Sequence, residues 1–545
     1  MQGLMQDWPL LVHKVIEHAN NHHADQEVVS RAVEGGIHRY TYGELYKRSK
    51  RCANALRKLG VNRGDVVATL AWNTYRHVEA WYGIMGLGAV CHTLNPRLFP
   101  EQLIYIANHA EDKYLFTDLT FVPLVEKLAP QLKTLKGVII MTDRAHMPKT
   151  GLANAICYED LIADVSDDFE WVEVNENDAA GMCYTSGTTG NPKGVVYSHR
   201  SNVLHALMVC QADVMGIKAT DSVLPVVPMF HANAWAIAFA APLVGSKLVM
   251  PGAQMDGASI HELLETEKVT FTAAVPTVWL MLLQYLESQN KEITTLKRVA
   301  IGGSALPQTI LEKFQQRYGV SVMHSWGMTE MSPVGTMATG NSMTAKLSAP
   351  EQLALQLKQG RAPFLVEMKI VDDDGKELPK DGKTFGHLVV RGPAIAKSYF
   401  KGEGGSILDK EGFFDTNDVA HIDRNGFMQI TDRSKDVIKS GGEWISSIEI
   451  ENIAVGHPEV AEAAVVGIPH PKWDERPLLV VIRKPNTTVT KEAMLAFLED
   501  KIAKWWMPDD VVFVTEIPHT ATGKIQKRTL REQYQAHQMT TTVTR

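Results

Sequence analysis

The sequence has few cysteines and no arrangement that would pair them. Five of its 545 residues are cysteine, an odd number, and none lies in a CxxC pair. Neither a disulfide framework nor a structural zinc site is therefore expected. The same scarcity favours a reducing, cytoplasmic compartment. The cysteines are Cys52, Cys91, Cys157, Cys183 and Cys210.

The chain also lacks a large excess of charge of either sign. Its 55 basic and 62 acidic side chains give a net charge of −7 and a pI near 6.3. A mildly acidic chain has no general electrostatic attraction to nucleic acid, so no nucleic-acid partner is expected. Residues 1–20 contain neither a basic start nor a long apolar run, so no signal peptide is expected.

No apolar run is uninterrupted over the length of a membrane span. Residues 223–245 are long enough, but three prolines interrupt them. His231 and Asn233 would lie near the centre of the bilayer, where polar side chains are costly. We therefore expect no membrane span, and we predict that this segment forms a buried strand, a turn and a helix.

The sequence does contain the alternation that is typical of an α/β protein. Apolar residues make up 45% of a chain that is too long for one ordinary domain. Up to about residue 365, β-rich runs alternate with amphipathic stretches, which predicts parallel or mixed sheets covered by helices. Asp-Gly and Asn-Gly turns then predict a β-rich antiparallel subdomain. We place the domain boundary after Arg433, which gives a large domain over 1–433 and a small α+β domain over 434–545.

The strongest local signal is segment 184–195, YTSGTTGNPKGV. Its glycines allow backbone N–H groups to form an anion-binding nest, its hydroxyls donate to phosphate oxygens, and its lysine adds a positive charge. It is not a Walker A loop, because no Ser or Thr follows the lysine. By itself the segment predicts a triphosphate site with no reaction attached. Its candidate ligands are Thr185, Ser186, Gly187, Thr188, Thr189, Gly190 and Lys193.

This segment resembles the phosphate loop of the adenylate-forming superfamily, which comprises acyl-CoA synthetases, luciferases and peptide-synthetase adenylation domains. Six further stretches match the superfamily in its order and spacing, so the resemblance covers nearly the whole chain. They are PMFHANAW (228–235), GGSALP (302–307), WGMTE (326–330), FFDTNDVA (413–420), DRSKDVIKSGGEW (432–444) and TATGKIQK (520–527).

The resemblance implies a nucleotide site built from several of these stretches. Trp326 would offer a flat face to the adenine, Thr329 would contact the phosphates, and Glu330 would bind Mg²⁺, which prefers hard oxygen ligands. Asp418 and Arg433 would contact the ribose hydroxyls. The other implied nucleotide contacts are Gly303, Ser304, Ala305, Ser325, Gly327 and Met328.

The resemblance also gives roles to the small, mobile second domain. Lys435 occupies the hinge position about which this domain would swing, and Lys524 would reach the α-phosphate and the substrate carboxylate. The implied catalytic groups are Lys524, Thr188, Glu330 and His231, of which the last would gate the acyl pocket. The swing would bring a CoA-side segment to the active site, formed by Ser440, Gly441, Gly442, Glu443 and Trp444.

The implied reaction uses ATP and Mg²⁺, with CoA as co-substrate. A carboxylate attacks the α-phosphorus of ATP and expels pyrophosphate, and the thiol of CoA then attacks the resulting acyl-AMP. No protein nucleophile is required, which agrees with the lack of a convincing Cys/His or Ser/His/Asp set in the sequence.

The implied acyl pocket contains no charged side chain. The ammonium group of a free amino acid would have no partner there, which argues against amino-acid adenylation. Trp235 either shortens the tunnel to short or medium chains or packs in the core, and the sequence leaves both interpretations open. The pocket residues are Phe230, His231, Trp235, Val275, Gly302 and Pro333.

Two stretches outside the motifs narrow the resemblance. GLMQDWPLL near the start and HPKWDERPLLVV (470–481) look most like a bacterial branch of medium-chain fatty-acyl-CoA ligases, which includes 3-methylmercaptopropionate-CoA ligases. The alternatives are an adenylating enzyme that passes its acyl group to a carrier protein, a luciferase-like adenylate oxygenase and a non-catalytic relative. Lys524 and Glu330 are both present, which argues against the last. A homodimer is common among similar enzymes and stays open here.

Overall fold

The computed structural model describes residues 1, 3–185, 191–433, 436–440, 443–519 and 525–537. The strands of these ranges are β1 (Glu27–Arg31), β2 (Ile37–Thr41), β3 (Val66–Leu70), β4 (Val90–Thr93), β5 (Tyr114–Thr117), β6 (Gly137–Ile140), β7 (Ala155–Cys157), β8 (Ala179–Tyr184), β9 (Gly194–Ser198), β10 (Ser222–Pro225), β11 (Lys247–Met250), β12 (Phe271–Ala274), β13 (Arg298–Ile301), β14 (Ser321–Gly327), β15 (Val334–Met337), β16 (Glu367–Val371), β17 (Gly386–Arg391), β18 (Phe414–Ile422), β19 (Met428–Arg433), β20 (Ile438–Ser440), β21 (Glu443–Ile445), β22 (Val460–His470), β23 (Asp474–Arg483) and β24 (Asp510–Val514).

The α-helices of the same ranges alternate with these strands. They are α1 (Val12–His23), α2 (Tyr42–Lys58), α3 (Tyr75–Gly86), α4 (Pro100–Ala110), α5 (Val122–Leu128), α6 (Tyr158–Ala163), α7 (His199–Cys210), α8 (Ile237–Val244), α9 (Gly257–Thr266), α10 (Pro276–Ser288), α11 (Gln308–Glu312), α12 (Ala349–Leu357), α13 (Ser447–Val455), α14 (Lys491–Leu498) and α15 (Lys527–Tyr534). Of the helices in the described part of the chain, none is long and apolar enough to cross a membrane.

Two large sheets form most of the protein. One has the strand order β7-β6-β5-β3-β4-β8-β9, and the other has the order β15-β14-β13-β12-β10-β11-β1-β2. Neighbouring strands are parallel except for the pairs β8/β9, β14/β15 and β1/β2, which are antiparallel. Helices α1, α2, α3, α7 and α8 pack on one another, and their side chains belong to one large apolar core. This arrangement confirms the prediction of mixed sheets covered by helices.

Helix starts in this domain follow from side-chain caps. The Ser198 hydroxyl accepts a hydrogen bond from the Ser201 N–H, so α7 begins directly after β9. The Asp256 carboxylate accepts from the Ser259 N–H at the start of α9. Such caps satisfy N–H groups that a helix leaves without an internal partner. Because Ser198 caps α7, strand β9 ends at this residue; β9 is the second strand of the hairpin that carries the phosphate-loop sequence.

Strands β16 to β19 form an antiparallel sheet of their own, as the turn residues predict. Gly375 and Gly426 lie at the Asp-Gly and Asn-Gly turns with φ of 80° and 82°. Residues with a side chain rarely adopt this conformation, which explains why glycine occupies both positions. The last strand, β19, ends at Arg433, where the sequence places the domain boundary.

The C-terminal part forms a smaller α+β unit. Strands β21, β20, β23 and β22 are adjacent in that order, and β24 pairs in parallel with β23. Helices α13, α14 and α15 pack on this sheet. The apolar spacing of KEAMLAFLEDKIAKWW (491–506) predicts one helix. Helix α14 is shorter, because it ends at Leu498, and a separate 3-10 turn covers Lys504–Trp506. Asp500 between them has φ of 64°, which a continuous right-handed helix cannot contain.

Candidate active site

The phosphate-loop sequence connects two paired strands. Strands β8 and β9 are antiparallel, with Tyr184 opposite Gly194. Just beyond them, the Thr185 N–H donates to the Lys193 carbonyl oxygen at 2.9 Å, and the Lys193 N–H donates to the Thr185 hydroxyl at 3.2 Å. These bonds close the base of the loop. The loop residues Ser186, Gly187, Thr188, Thr189 and Gly190 lie outside the described residues.

The carboxyl ends of three parallel strands bring other predicted site residues together. Val275 follows β12, Gly302 follows β13, and Ser325 lies near the end of β14. A Cβ atom added at Gly302 would lie 2.4 Å from Ser325 Oγ, so only glycine allows this approach. Gly303 and Ser304 are exposed at the same edge. In open α/β sheets, ligands bind outside the carboxyl ends of the strands.

Asp418 is the buried centre of the predicted ribose site. Trp326 Nε1–H donates to Asp418 Oδ2 at 3.0 Å, and Arg433 Nε lies 3.0 Å from Asp418 Oδ1. The Asp418 side chain is only 4% exposed, so the arginine compensates a charge that would otherwise be costly to bury. The structure therefore brings together three residues that lie in separate sequence motifs.

Trp326, the predicted adenine contact, is largely enclosed by protein. The residue is 8% exposed and belongs to the apolar core of the antiparallel sheet. A Cβ atom added at Gly335 would lie 2.7 Å from the indole ring, which shows how closely this strand covers it. The indole N–H edge therefore contacts Asp418 of the predicted ribose site, whereas most of the ring is covered by protein.

Glu330 lies in a short 3-10 helix, Thr329–Met331, directly after β14. The Tyr399 hydroxyl donates a hydrogen bond to Glu330 Oε1 at 2.7 Å, and the ring of the same tyrosine lies 4.9 Å from Lys193 Nζ. Burial and the nearby carboxylate raise the pKa of Tyr399 above its usual value, so the hydroxyl keeps its proton. Sequence reasoning missed Tyr399, because it follows no recognised motif and lies 69 residues from Glu330.

Glu330 is suited to a magnesium ion that arrives with ATP. Among the described residues, no group of three or more His, Cys, Asp or Glu side chains could hold a metal ion. Mg²⁺ in nucleotide sites is commonly held by one or two carboxylates together with phosphate oxygens and water. A single carboxylate near the base of a phosphate loop therefore fits this ion.

The predicted acyl pocket has an apolar wall. Phe230 and Trp235 are buried, and a Cβ atom at Gly302 would lie 3.1 Å from Trp235 Cη2. Trp235 thus lies next to Gly302, another predicted pocket residue, and also belongs to the large core. Its role in shortening the tunnel stays a prediction. It lies in Ala232–Ala236, where all residues have φ between 44° and 63°. Left-handed backbone is unfavourable for such residues, so this turn is strained.

The second-domain residues are only partly described. Ser440 is buried, and its hydroxyl accepts a hydrogen bond from Arg476 Nη1 at 3.2 Å. Glu443 and Trp444 contribute backbone to β21, while their side chains are outside the described part of the chain. Four further predicted residues lie wholly outside the described part of the chain: Lys435, Gly441, Gly442 and Lys524. Their roles remain predictions.

A buried charged cluster next to Arg433 was not predicted. Lys527 Nζ lies 2.9 Å from Glu451 and 3.8 Å from Asp432, and it also contacts the Ser447 hydroxyl. Asp432 accepts hydrogen bonds from both the N–H and the hydroxyl of Ser447. Burial raises the pKa of Glu451 to about 7. This cluster, formed by Asp432, Ser447, Glu451 and Lys527, connects the last residues of β19 to α13 and α15.

Comparison with known proteins identifies what the chain resembles. The AMP-binding enzyme family matches residues 16–400, and the AMP-binding enzyme C-terminal domain matches residues 449–524. A 3-methylmercaptopropionyl-CoA ligase of Ruegeria lacuscaerulensis is 48% identical over 98% of this chain and 99% of its own. A medium-chain-fatty-acid–CoA ligase of Ectopseudomonas oleovorans is 46% identical, and 98% of each chain is covered. The crystal structure of the anthranilate CoA ligase AuaEII with anthranoyl-AMP has a TM-score of 0.85 at 25% identity, covering 98% and 99%.

Proposed function

We propose that this chain, which belongs to the AMP-binding enzyme family and is an AMP-forming acid–thiol ligase, acts on a short- or medium-chain carboxylic acid. A candidate substrate is 3-methylmercaptopropionate. The proposal depends most on one observation, the composition of the predicted pocket wall. None of the six predicted pocket residues is Asp, Glu, Lys or Arg; they are Phe230, His231, Trp235, Val275, Gly302 and Pro333. Such a wall suits an alkyl or thioether chain and leaves a charged substituent without a partner.

The first half-reaction joins the acid to AMP. The substrate carboxylate attacks the α-phosphorus of ATP, and pyrophosphate leaves. We assign neutralisation of the crowded oxygens to Lys524, Thr188, Thr329 and the amides of the phosphate loop. Glu330 would hold the Mg²⁺ that accompanies ATP and reduces the repulsion between the phosphates. Asp418, fixed by Trp326 and Arg433, would accept hydrogen bonds from the ribose hydroxyls.

The second half-reaction transfers the acyl group to CoA. We propose that the domain over 434–545 turns about Lys435, which removes Lys524 and brings segment 440–444 to the acyl-AMP. The thiol of CoA loses its proton to solvent, its sulfur bonds to the acyl carbon, and the bond from that carbon to the phosphate oxygen breaks, so that AMP leaves. Gly441 and Gly442 would leave room for the pantetheine arm.

The cysteines are free, which supports the proposed cytoplasmic location.

A graded panel of acids tests the substrate. The enzyme would be assayed with ATP, Mg²⁺ and CoA against acids from propionate to palmitate, including 3-methylmercaptopropionate, with AMP and acyl-CoA measured by mass spectrometry. We expect kcat/KM to be highest among the short and medium acids. A maximum at palmitate would contradict the proposed substrate class. Release of AMP without a thioester would instead identify an acceptor other than CoA, such as a carrier protein.

Trp235→Ala tests whether this side chain limits the chain length. If Trp235 closes the tunnel, kcat/KM for a longer acid relative to butyrate should rise by roughly tenfold or more, because the longer chain then has space in the pocket. Trp8→Ala is the matched control, since Trp8 is 60% exposed. An unchanged preference in a folded Trp235→Ala variant would show that Trp235 only packs in the core.

A further inference from the structure

We propose that Tyr399 is a positioning residue that holds Glu330 and Lys193 in a fixed arrangement ready for magnesium-bound ATP. The inference rests on the proposed function, because it takes Glu330 as the metal ligand and Lys193 as a phosphate contact. Tyr399 lies outside the seven motif stretches of the sequence, and the names of the similar proteins assign it no role. Three features of the structure support the proposal.

The first feature is the hydrogen bond between the tyrosine and the carboxylate. The Tyr399 hydroxyl donates to Glu330 Oε1 at 2.7 Å, and Glu330 is 6% exposed. A buried carboxylate needs such a donor, and a hydrogen bond to a charged acceptor is stronger than one between neutral groups. Glu330 has several rotatable bonds, so the hydroxyl selects one orientation before any ligand binds. A preorganised ligand loses less entropy when the metal arrives.

The second feature is the position of the ring between two opposite charges. Lys193 Nζ lies 4.9 Å from the ring centroid, at a distance typical of a cation–π contact. The hydroxyl end of the same ring holds Glu330. A direct Lys193–Glu330 ion pair would neutralise both groups and compete with phosphate and metal. Tyr399 instead gives each charge its own contact, so both are available to ATP.

The third feature is that the backbone around Tyr399 is held by contacts of its own. The Ala396 N–H donates to the Glu330 carbonyl oxygen at 2.8 Å, and the Ser332 hydroxyl donates to the Ala394 carbonyl oxygen at 2.8 Å. After the tyrosine, the Tyr105 hydroxyl donates to Glu403 at 2.9 Å. Loss of the Tyr399 hydroxyl should therefore leave the segment in place.

Tyr399→Phe tests the proposal, because it removes only the hydroxyl and keeps the ring on Lys193. We expect the Mg²⁺ concentration for half-maximal acyl-AMP formation to rise roughly tenfold. Binding of ATP by calorimetry, without acid or CoA, provides a second readout. The gain in ATP affinity on adding Mg²⁺ should shrink by a similar factor, whereas affinity without Mg²⁺ should change little.

Two comparisons separate positioning from general damage. Tyr105→Phe is the matched control, because it also removes a tyrosine hydroxyl that donates to a glutamate, here Glu403, four residues after Tyr399. This variant should leave the Mg²⁺ dependence unchanged. In a Glu330→Gln background, Tyr399→Phe should add much less, because the two residues act as one unit. The proposal is overturned if Tyr399→Phe has the wild-type Mg²⁺ dependence, if it weakens ATP equally without Mg²⁺, or if Tyr105→Phe gives the same shift. Failure of the proposed function would appear differently, as no acid-dependent AMP formation by the wild type.

Discussion

Replacing Lys524 with alanine is expected to slow acyl-AMP formation from acid and ATP by at least about 100-fold, while thioester formation from supplied acyl-AMP stays largely intact. The lysine would neutralise charge on the α-phosphate as the carboxylate attacks, and loss of one preorganised donor costs roughly 100- to 1,000-fold in rate. In the proposed second half-reaction the rotated domain would have taken this side chain away, so its loss should have little effect. Pyrophosphate release and thioester formation, measured separately in single-turnover experiments, check the two halves.

Lys501→Ala is a suitable control for this prediction. Lys501 is an exposed lysine of the same domain and contacts the Phe497 ring. Its removal should leave both half-reactions unchanged, which shows that loss of one positive charge from the domain is not sufficient. Equal slowing of both halves by Lys524→Ala would show that Lys524 is not specific to adenylation, and the two-conformation mechanism would lose its support.

Replacing Lys527 with methionine is expected to destabilise the C-terminal unit by about 3–5 kcal/mol, because it removes the one positive partner from a buried cluster. Asp432 and Glu451 would then remain near each other without the ammonium that lies within 4 Å of both. Methionine has a similar length, so lost volume contributes little. Denaturant unfolding, together with hydrogen exchange in peptides from 443–519, measures the loss and its location.

Arg528→Met provides the matched control, one residue further along α15. Arg528 pairs with Glu532 at the surface, where both side chains are more than 60% exposed. Exposed pairs of this kind contribute about 0–1 kcal/mol, so this variant should be nearly as stable as the wild type. A Lys527→Met protein with wild-type stability would mean that the two carboxylates protonate or rearrange without cost, and the cluster would not be structural.

Sequence patterns predicted elements well where the signal is local. The Asn-Gly turn before Phe427 produced the hairpin of β18 and β19, and segment 223–245 formed the strand, turn and helix expected of it. The end of α14 was predicted less well. Apolar spacing extends past Leu498, but the helix ends there and Asp500 has a left-handed φ of 64°, which the spacing of apolar residues does not reveal.

The sequence by itself indicated that the protein binds phosphate, and its resemblance to the adenylate-forming superfamily indicated the reaction. Glycines, hydroxyls and Lys193 in one short segment indicate phosphate binding, and their types and spacing carry that information without a structure. Only the tertiary structure decided which distant groups contact one another. Asp418 meets Trp326 from 92 residues away, and Tyr399 meets Glu330 from 69. These hydrogen bonds need atoms within about 3 Å, and such distances arise only when sheets and loops far apart in the chain pack together.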